Sequence, residues 1–219
     1  GLGPEHVVYA GTASKVLAPA LRLGWNPLAG NVRLLRDLSD DPTTLKAAAL
    51  VAWFWAAGAI YLSSLPTLLR ARLDADELVV ALVMALFALG VGGGSVLAQR
   101  LLKGRLALWP VAPAALLMAL AAMGVWAGLA RLPAGGGMAV LATTGPGALV
   151  VLSLVALAAG GGTFTVPLKA TIQHRARPER RARTVAATNV ASSVAVAGLS
   201  GLISAAVAAG LPLEALFLL

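Results

Sequence analysis

The stretch ALVVLSLVALAAGGGTFTVPL, residues 148–168, decides the fold class. Its 21 residues include no Asp, Glu, Lys, Arg or His. At about 1.5 Å of rise per residue, a helix of that length matches the roughly 30 Å hydrocarbon core of a bilayer. Strict apolar–polar alternation is missing, which argues against a strand of a membrane barrel. A helix satisfies its own backbone groups in lipid, so this run reads as a membrane-spanning helix. The turn-forming TTGPG precedes it at residues 143–147, and KATIQHRARPERRAR follows it at residues 169–183.

Working outward, four more runs have the same character: residues 47–69, 78–98, 108–130 and 184–209. The last is less greasy, with Asn189, Ser192, Ser193, Ser200 and Ser204, but it too is uncharged. Residues 211–219, after the turn signal Gly210–Pro212, read as the start of a sixth. The composition agrees: 59% of residues are hydrophobic and 12% charged, about half the charged share of a soluble domain. With a mean hydropathy of +0.86, too little polar surface is left to wrap a water-soluble globule. The expected fold class is an all-α polytopic membrane protein with five complete spans and part of a sixth. A soluble enzyme, a disordered chain and a disulfide scaffold are excluded, and with no cysteine so are thiolate metal centres. The chain begins without Met and stops inside an apolar run, so it reads as a piece of a longer protein.

A net charge of +8 often points to nucleic acid. Here the basic residues lie in the connections between spans, so no nucleic-acid partner is expected. Connections alternate sharply in charge. Residues 1–46, 99–107 and 169–183 hold fourteen Lys and Arg, against three in the other two connections. The positive-inside rule places those three segments in the cytoplasm. Residues 1–46 form a cytoplasmic connector, in which residues 27–38 fit either an amphipathic helix or a solvated linker. Asp41–Pro42 reads as N-cap and first residue of the first membrane helix.

Chemistry-bearing patterns are scarce. His6 and His174 lie in no zinc-binding or acyltransferase pattern, and the glycine-rich residues 134–137 lack the Lys and Ser/Thr of a phosphate loop. Asp37, Asp40 and Asp41 cluster where a helix start favours acids. No catalytic residue, metal or cofactor is therefore expected in this region. The basic segment 173–183, QHRARPERRAR, has two readings: topology with attraction to anionic lipid headgroups, or a gate whose arginines pair with carboxylates elsewhere. Small residues recur every fourth position at Asn189, Ser193, Ala197, Gly201, Ala205 and Ala209, and Gly90 and Gly94 form a GxxxG pair. Such ridges let helices approach closely in lipid, either as fixed seams or as faces that rock. Gly161 and Gly162 followed by Pro167 invite a bend or local unwinding.

Several strings in order carry a resemblance. They are Trp25-Asn26-Pro27, then Trp53-Phe54-Trp55 with Gly58 and Pro66, and Leu86 to Leu97 followed by Arg100-Leu101 and Gly104-Arg105. After these come Gly161-Gly162-Thr163-Phe164 with Pro167, and Gln173 to Arg183 with Ala186-Ala187 and Asn189. Over roughly residues 25–219 the chain resembles the C-terminal half of the lysophospholipid transporter family of the major facilitator superfamily. In some bacteria that module is fused to a 2-acylglycerophosphoethanolamine acyltransferase and an acyl-carrier-protein synthetase. The resemblance implies a half bundle over residues 47–219, completed by an N-terminal half of the same protein. It implies a multi-pass protein of the bacterial inner membrane that moves a lysophospholipid, such as lysophosphatidylethanolamine, inward for re-acylation. Substrate contacts would come from Trp53, Trp55, Thr163, Phe164, Thr165 and Asn189. Gating or hinge positions would be Gly90, Gly94, Arg100, Gly161, Pro167, Arg175 and Arg181. Gln99 departs from the acid that usually precedes the arginine of the superfamily's gating loop. Other readings are the membrane domain of the fused acyltransferase enzyme and a major facilitator exporter of another small molecule.

The charge asymmetry is testable because the chain has no native cysteine. In spheroplasts, a cysteine at Asp76 is expected to react with an impermeant thiol reagent added outside, and one at Arg177 only after permeabilisation. Labelling of position 177 from outside would overturn the assigned sidedness.

Overall fold

A computed structural model describes residues 41–210; the connector helix expected over residues 27–38 and the sixth run at 211–219 lie outside those residues. Five long helices and one short one follow in order. They are α1 (Pro42–Leu73), α2 (Glu77–Leu102), α3 (Val111–Arg131), α4 (Gly137–Thr143), α5 (Gly145–Arg175) and, after a 3-10 turn at Pro178–Arg180, α6 (Arg181–Ala208). The five long helices are each long and apolar enough to cross a membrane. No strand occurs among the described residues. The chain is an all-α polytopic membrane protein.

Most ends lie beyond the apolar runs because capping chemistry sits in the polar flanks. Asp41 caps α1: its carboxylate accepts from the Thr43 and Thr44 amides, and Pro42 takes the first helical position. Asp76 caps α2 through the Val79 amide, 2.8 Å away. Thr144 caps α5 through the Gly147 amide. Two segments differ from the expected loops. Residues 137–143 form a short helix, begun by the left-handed turn Gly135–Gly136 that only glycine adopts without strain. Helix α5 does not stop at Leu168 but continues to Arg175, so Lys169 and His174 are helical.

Helix α5 is the hub. It packs closely on α2 and α3 and also on α1, whereas α6 rests chiefly on α1. Three consecutive glycines make this arrangement fit. Successive helical residues point about 100° apart, so Gly160, Gly161 and Gly162 face three different neighbours. A methyl group on Gly160 would lie 2.7 Å from the Met118 side chain of α3. One on Gly161 would meet the Phe54 ring of α1 at 2.8 Å. One on Gly162 would lie 2.7 Å from the Ser95 amide nitrogen of α2 and against the Val91 carbonyl. From the other side, Gly90 faces the Ala158 methyl and Gly94 faces the Ala159 backbone. Gly90 and Gly94 are thus part of a tight α2–α5 seam. The helix is continuous through Gly160–Gly162 and Pro167, with no unwound residue.

The ridge on α6 behaves differently. Asn189, Ser193, Ala197, Gly201, Ala205 and Ala209 are all exposed, while Ala187, Thr188 and Ser192 are buried. Gly198 and Gly201 face open space. Only 6% of the most apolar stretch of α6 is buried, against 61% in α5. Bulky groups are exposed on α2 and α3, among them Leu82, Leu89, Leu116 and Leu120, and on α6 at Val194 and Leu202 beside the ridge.

The two ends of the bundle are distinct. At one end Leu73, Ala75, Leu132 and Leu141 share a core, and the Gly135 amide donates to the Arg72 carbonyl at 2.9 Å. At the other, Ala47, Ile172 and Ala187 pack together with Val111 against them. Connections therefore alternate between ends in the order the charge pattern requires.

The seam grades the cost of added methyl groups. Gly162→Ala meets backbone that has no rotamer to change, and is expected to destabilise the bundle by about 1–3 kcal/mol. Gly161→Ala meets only a ring that can shift, so a smaller loss is expected. Gly92→Ala meets nothing within 4 Å, and is expected to be neutral or up to about 1 kcal/mol stabilising. Thermal unfolding in detergent reads the order, and equal effects at positions 162 and 92 would contradict it.

Candidate functional site

Trp53, Phe54 and Trp55 on α1 point to three sides of that helix. Phe54 turns inward toward Gly161, with its ring centroid 6.1 Å from that of Phe164. Trp53 meets Phe164 edge-on at 6.2 Å, and Phe164 itself is 2% exposed. Trp55 packs edge-on against Phe54 at 5.8 Å and receives the Lys169 ammonium over its ring, 5.0 Å from the centroid. An ammonium in that position is attracted by the negative face of the indole.

Two cavities meet at Trp55. One, about 460 Å³, opens between α1, α5 and α6; Trp55, Lys169, Asn189, Ser192 and Ser193 line it. The other, about 120 Å³, is apolar and more enclosed; Trp55 again lines it, with Phe54, Tyr61, Phe87, Met118 and Leu157. Within the first, the Ser192 and Ser193 hydroxyls donate to the Thr188 and Asn189 carbonyls one turn earlier, at 2.9 and 3.0 Å. Their oxygens remain as acceptors. Donors toward the cavity come from the Lys169 ammonium and the Asn189 carboxamide, which has no hydrogen-bond partner among the described residues. A third hollow of about 420 Å³ between α2, α4 and α5 is bordered by apolar side chains such as Leu82, Met138 and Val151.

The threonines expected to meet a headgroup are placed elsewhere. Thr163 is buried and shares its one hydroxyl hydrogen between the Ala159 carbonyl at 2.9 Å and the Gly94 carbonyl of α2 at 3.1 Å. The second contact crosses the α2–α5 seam. Thr165 is buried too and donates to the Gly161 carbonyl at 2.9 Å. Thus Trp55 and Asn189 come together at one cavity, Trp53 and Phe164 pack on each other and line neither cavity at Trp55, and both threonines serve the backbone. Lys169 completes the cavity. Assigning the basic loop to begin at Lys169 concealed it; its signal is that Pro167 need not end a helix whose hydrogen bonds resume beyond it.

At the basic end Arg175 has a carboxylate partner. Arg175 Nε and Nη2 donate to the two Asp41 oxygens at 2.6 and 3.1 Å, joining the end of α5 to the start of α1. The Thr44 hydroxyl also donates to that carboxylate, at 2.6 Å. The Arg175 hydrogen bonds, then that hydroxyl, hold the Asp41 carboxyl well below the usual carboxylate range. Pairing with a carboxylate, one of the two expectations for the basic segment, holds for Arg175. Arg100 and Arg181 are exposed near the same end. No group of three or more His, Cys, Asp or Glu side chains that would hold a metal ion occurs among the described residues.

Comparison with protein-family models, with curated proteins and with solved structures returns no match.

A carboxyl whose folded value is depressed contributes stability above its ordinary value near 3.9 and loses it as pH falls toward the folded value. Wild-type unfolding in detergent is therefore expected to show no pH dependence from this pair between pH 8 and 5, where its contribution is fully present, and a loss below about pH 4. Asp41→Asn is expected to be less stable throughout the upper range and to show a smaller acid loss. An identical acid loss in Asp41→Asn would show that the pair contributes nothing.

Proposed function

We propose that this chain is one half of a membrane transporter of the major facilitator type, moving a lysophospholipid such as lysophosphatidylethanolamine. The carrying observation is the pair of cavities sharing Trp55, one with a cation and polar groups, the other apolar and aromatic. A single-chain phospholipid has that division, with a charged headgroup and one acyl tail. Transporters commonly bind substrate near the bilayer midplane, between two bundles. Trp55 stands about 20 Å along α1 from Pro42 at 1.5 Å per residue, within the span rather than at its rim.

The exposed α6 ridge supports a missing partner. Leucine suits contact with lipid tails, as on α2 and α3, whereas small side chains suit contact with another helix. In this reading the N-terminal half of the same protein covers α6 and closes the cavity. The charge asymmetry supports an inner-membrane orientation with residues 1–46, 99–107 and 176–183 cytoplasmic, their basic groups near anionic headgroups, and Lys169 set back from them along α5. The lipid then moves inward, toward cytoplasmic re-acylation. We assign no chemical step to this chain.

The test is uptake of radiolabelled lysophosphatidylethanolamine by spheroplasts expressing the full-length protein. Uptake above the vector control is expected, and Trp55→Ala is expected to lower it roughly tenfold or more, as removal of a central aromatic contact does. No uptake at equal membrane abundance, with flux of a water-soluble solute instead, would contradict the reading.

A further inference from the structure

We infer that Lys169 is the specificity-determining residue of the cavity and recognises the phosphate of a single-chain lipid, with Trp55 holding its ammonium in place until the lipid arrives. The inference rests on the transporter reading above and deepens it.

The first argument is position. Lys169 lies six residues before Arg175 in α5, about 9 Å along the helix from the basic end. Helical side chains tilt toward the N-terminus of their own helix, which for α5 is the end remote from the arginines. A lysine near a membrane surface ordinarily extends its ammonium outward to water. This one lies over Trp55 instead, exposed in the open groove between α1, α5 and α6. Its ammonium is therefore held at the groove and open to a ligand entering there.

The second argument is charge. Among the described residues no carboxylate pairs with Lys169, and Asp41 is engaged by Arg175. No acidic residue lines the cavity. An ionisable side chain within a span, lacking an opposite charge, marks a functional site that a ligand completes. The complement here is an anion.

The third argument is the division of donors and acceptors. Lys169 and Asn189 offer N–H groups, which suit phosphate oxygens. The Ser192 and Ser193 oxygens, their hydrogens committed to the helix, suit the hydroxyls or ammonium of a headgroup. The adjoining apolar cavity is where the acyl chain enters. A phosphate ester without a tail meets only half of this site, and a lipid without phosphate leaves Lys169 unpaired.

The experiment uses the full-length protein in nanodiscs of uncharged lipid. Binding is measured for lysophosphatidylglycerol, for monoacylglycerol of the same chain length, and for glycerol 3-phosphate. Lys169→Met keeps the length of the side chain and removes its charge. It is expected to weaken lysophosphatidylglycerol binding roughly tenfold or more, while Lys169→Arg binds it within about twofold and monoacylglycerol binding changes less than about twofold. Should Lys169→Met lose monodispersity, Lys169→Gln takes its place. Unchanged lysophosphatidylglycerol binding in the uncharged variant would overturn the inference and leave the transporter reading intact. Equal losses for both lipids would also overturn it, by making Lys169 a packing residue. Glycerol 3-phosphate binding as tightly as the lysolipid would assign the site to a soluble phosphate ester instead. A wild-type protein that binds neither lipid would remove the transporter reading and the inference together.

Discussion

Three glycines in succession at the middle of α5 are the constraint on which the rest of the bundle depends. In lipid, helices gain little by hiding apolar surface from one another, because the tails outside are equally apolar. What holds them together is close contact, and at the α2–α5 seam that contact is backbone to backbone. Gly160, Gly161 and Gly162 let α3, α1 and α2 approach one helix at one level. The seam with α2 is doubled by Gly90 and Gly94 and is joined across by the Thr163 hydroxyl. The seam with α3 has its own glycines, Gly124 against Ser153 and Gly128 against Val150.

That same closeness builds the site. With Gly161 absent a side chain, the Phe54 ring lies inside the bundle, and the three aromatics of α1 then take fixed directions. Trp55 is left facing the groove toward α6. Two turns beyond the glycines, α5 presents Lys169 to that groove. The helix that organises the packing therefore also carries the cation, and Arg175 at its end ties it to the first residue before α1. Helix α6 closes the groove only from one side, its small-residue face turned outward.

The spans were legible because a bilayer tolerates so few ionisable side chains, and five long runs have none. Asp41–Pro42 was legible as a helix start because N-capping is a local event. Other features were not local. The partner of Asp41 is 134 residues away, and no pattern near either residue announces it. The four-residue spacing of Asn189, Ser193, Ala197 and Gly201 shows that they share a face, but periodicity does not say which way a face points. Lys169 stayed hidden because a charge after an apolar run reads as the end of a span, while the hydrogen-bond ladder of α5 runs on for six residues past it. Thr163 and Thr165 looked available as polar atoms near substrate, yet each donates to a carbonyl one turn earlier. That is the ordinary fate of a threonine inside a membrane helix.

The central claim is that α5 sets both the packing and the place where an anionic headgroup is held. The most direct measurement is the nitrogen–phosphorus distance in the bound complex. Magnetic-resonance dephasing between lysine ¹⁵Nζ and the ³¹P of bound lysophosphatidylglycerol reads it. The account predicts a separation of about 3–4 Å, as a charge-assisted N–H···O contact imposes, and loss of that signal in Lys169→Arg, which removes the labelled nitrogen. Dephasing that persists in Lys169→Arg, from a lysine outside the cavity, would contradict it.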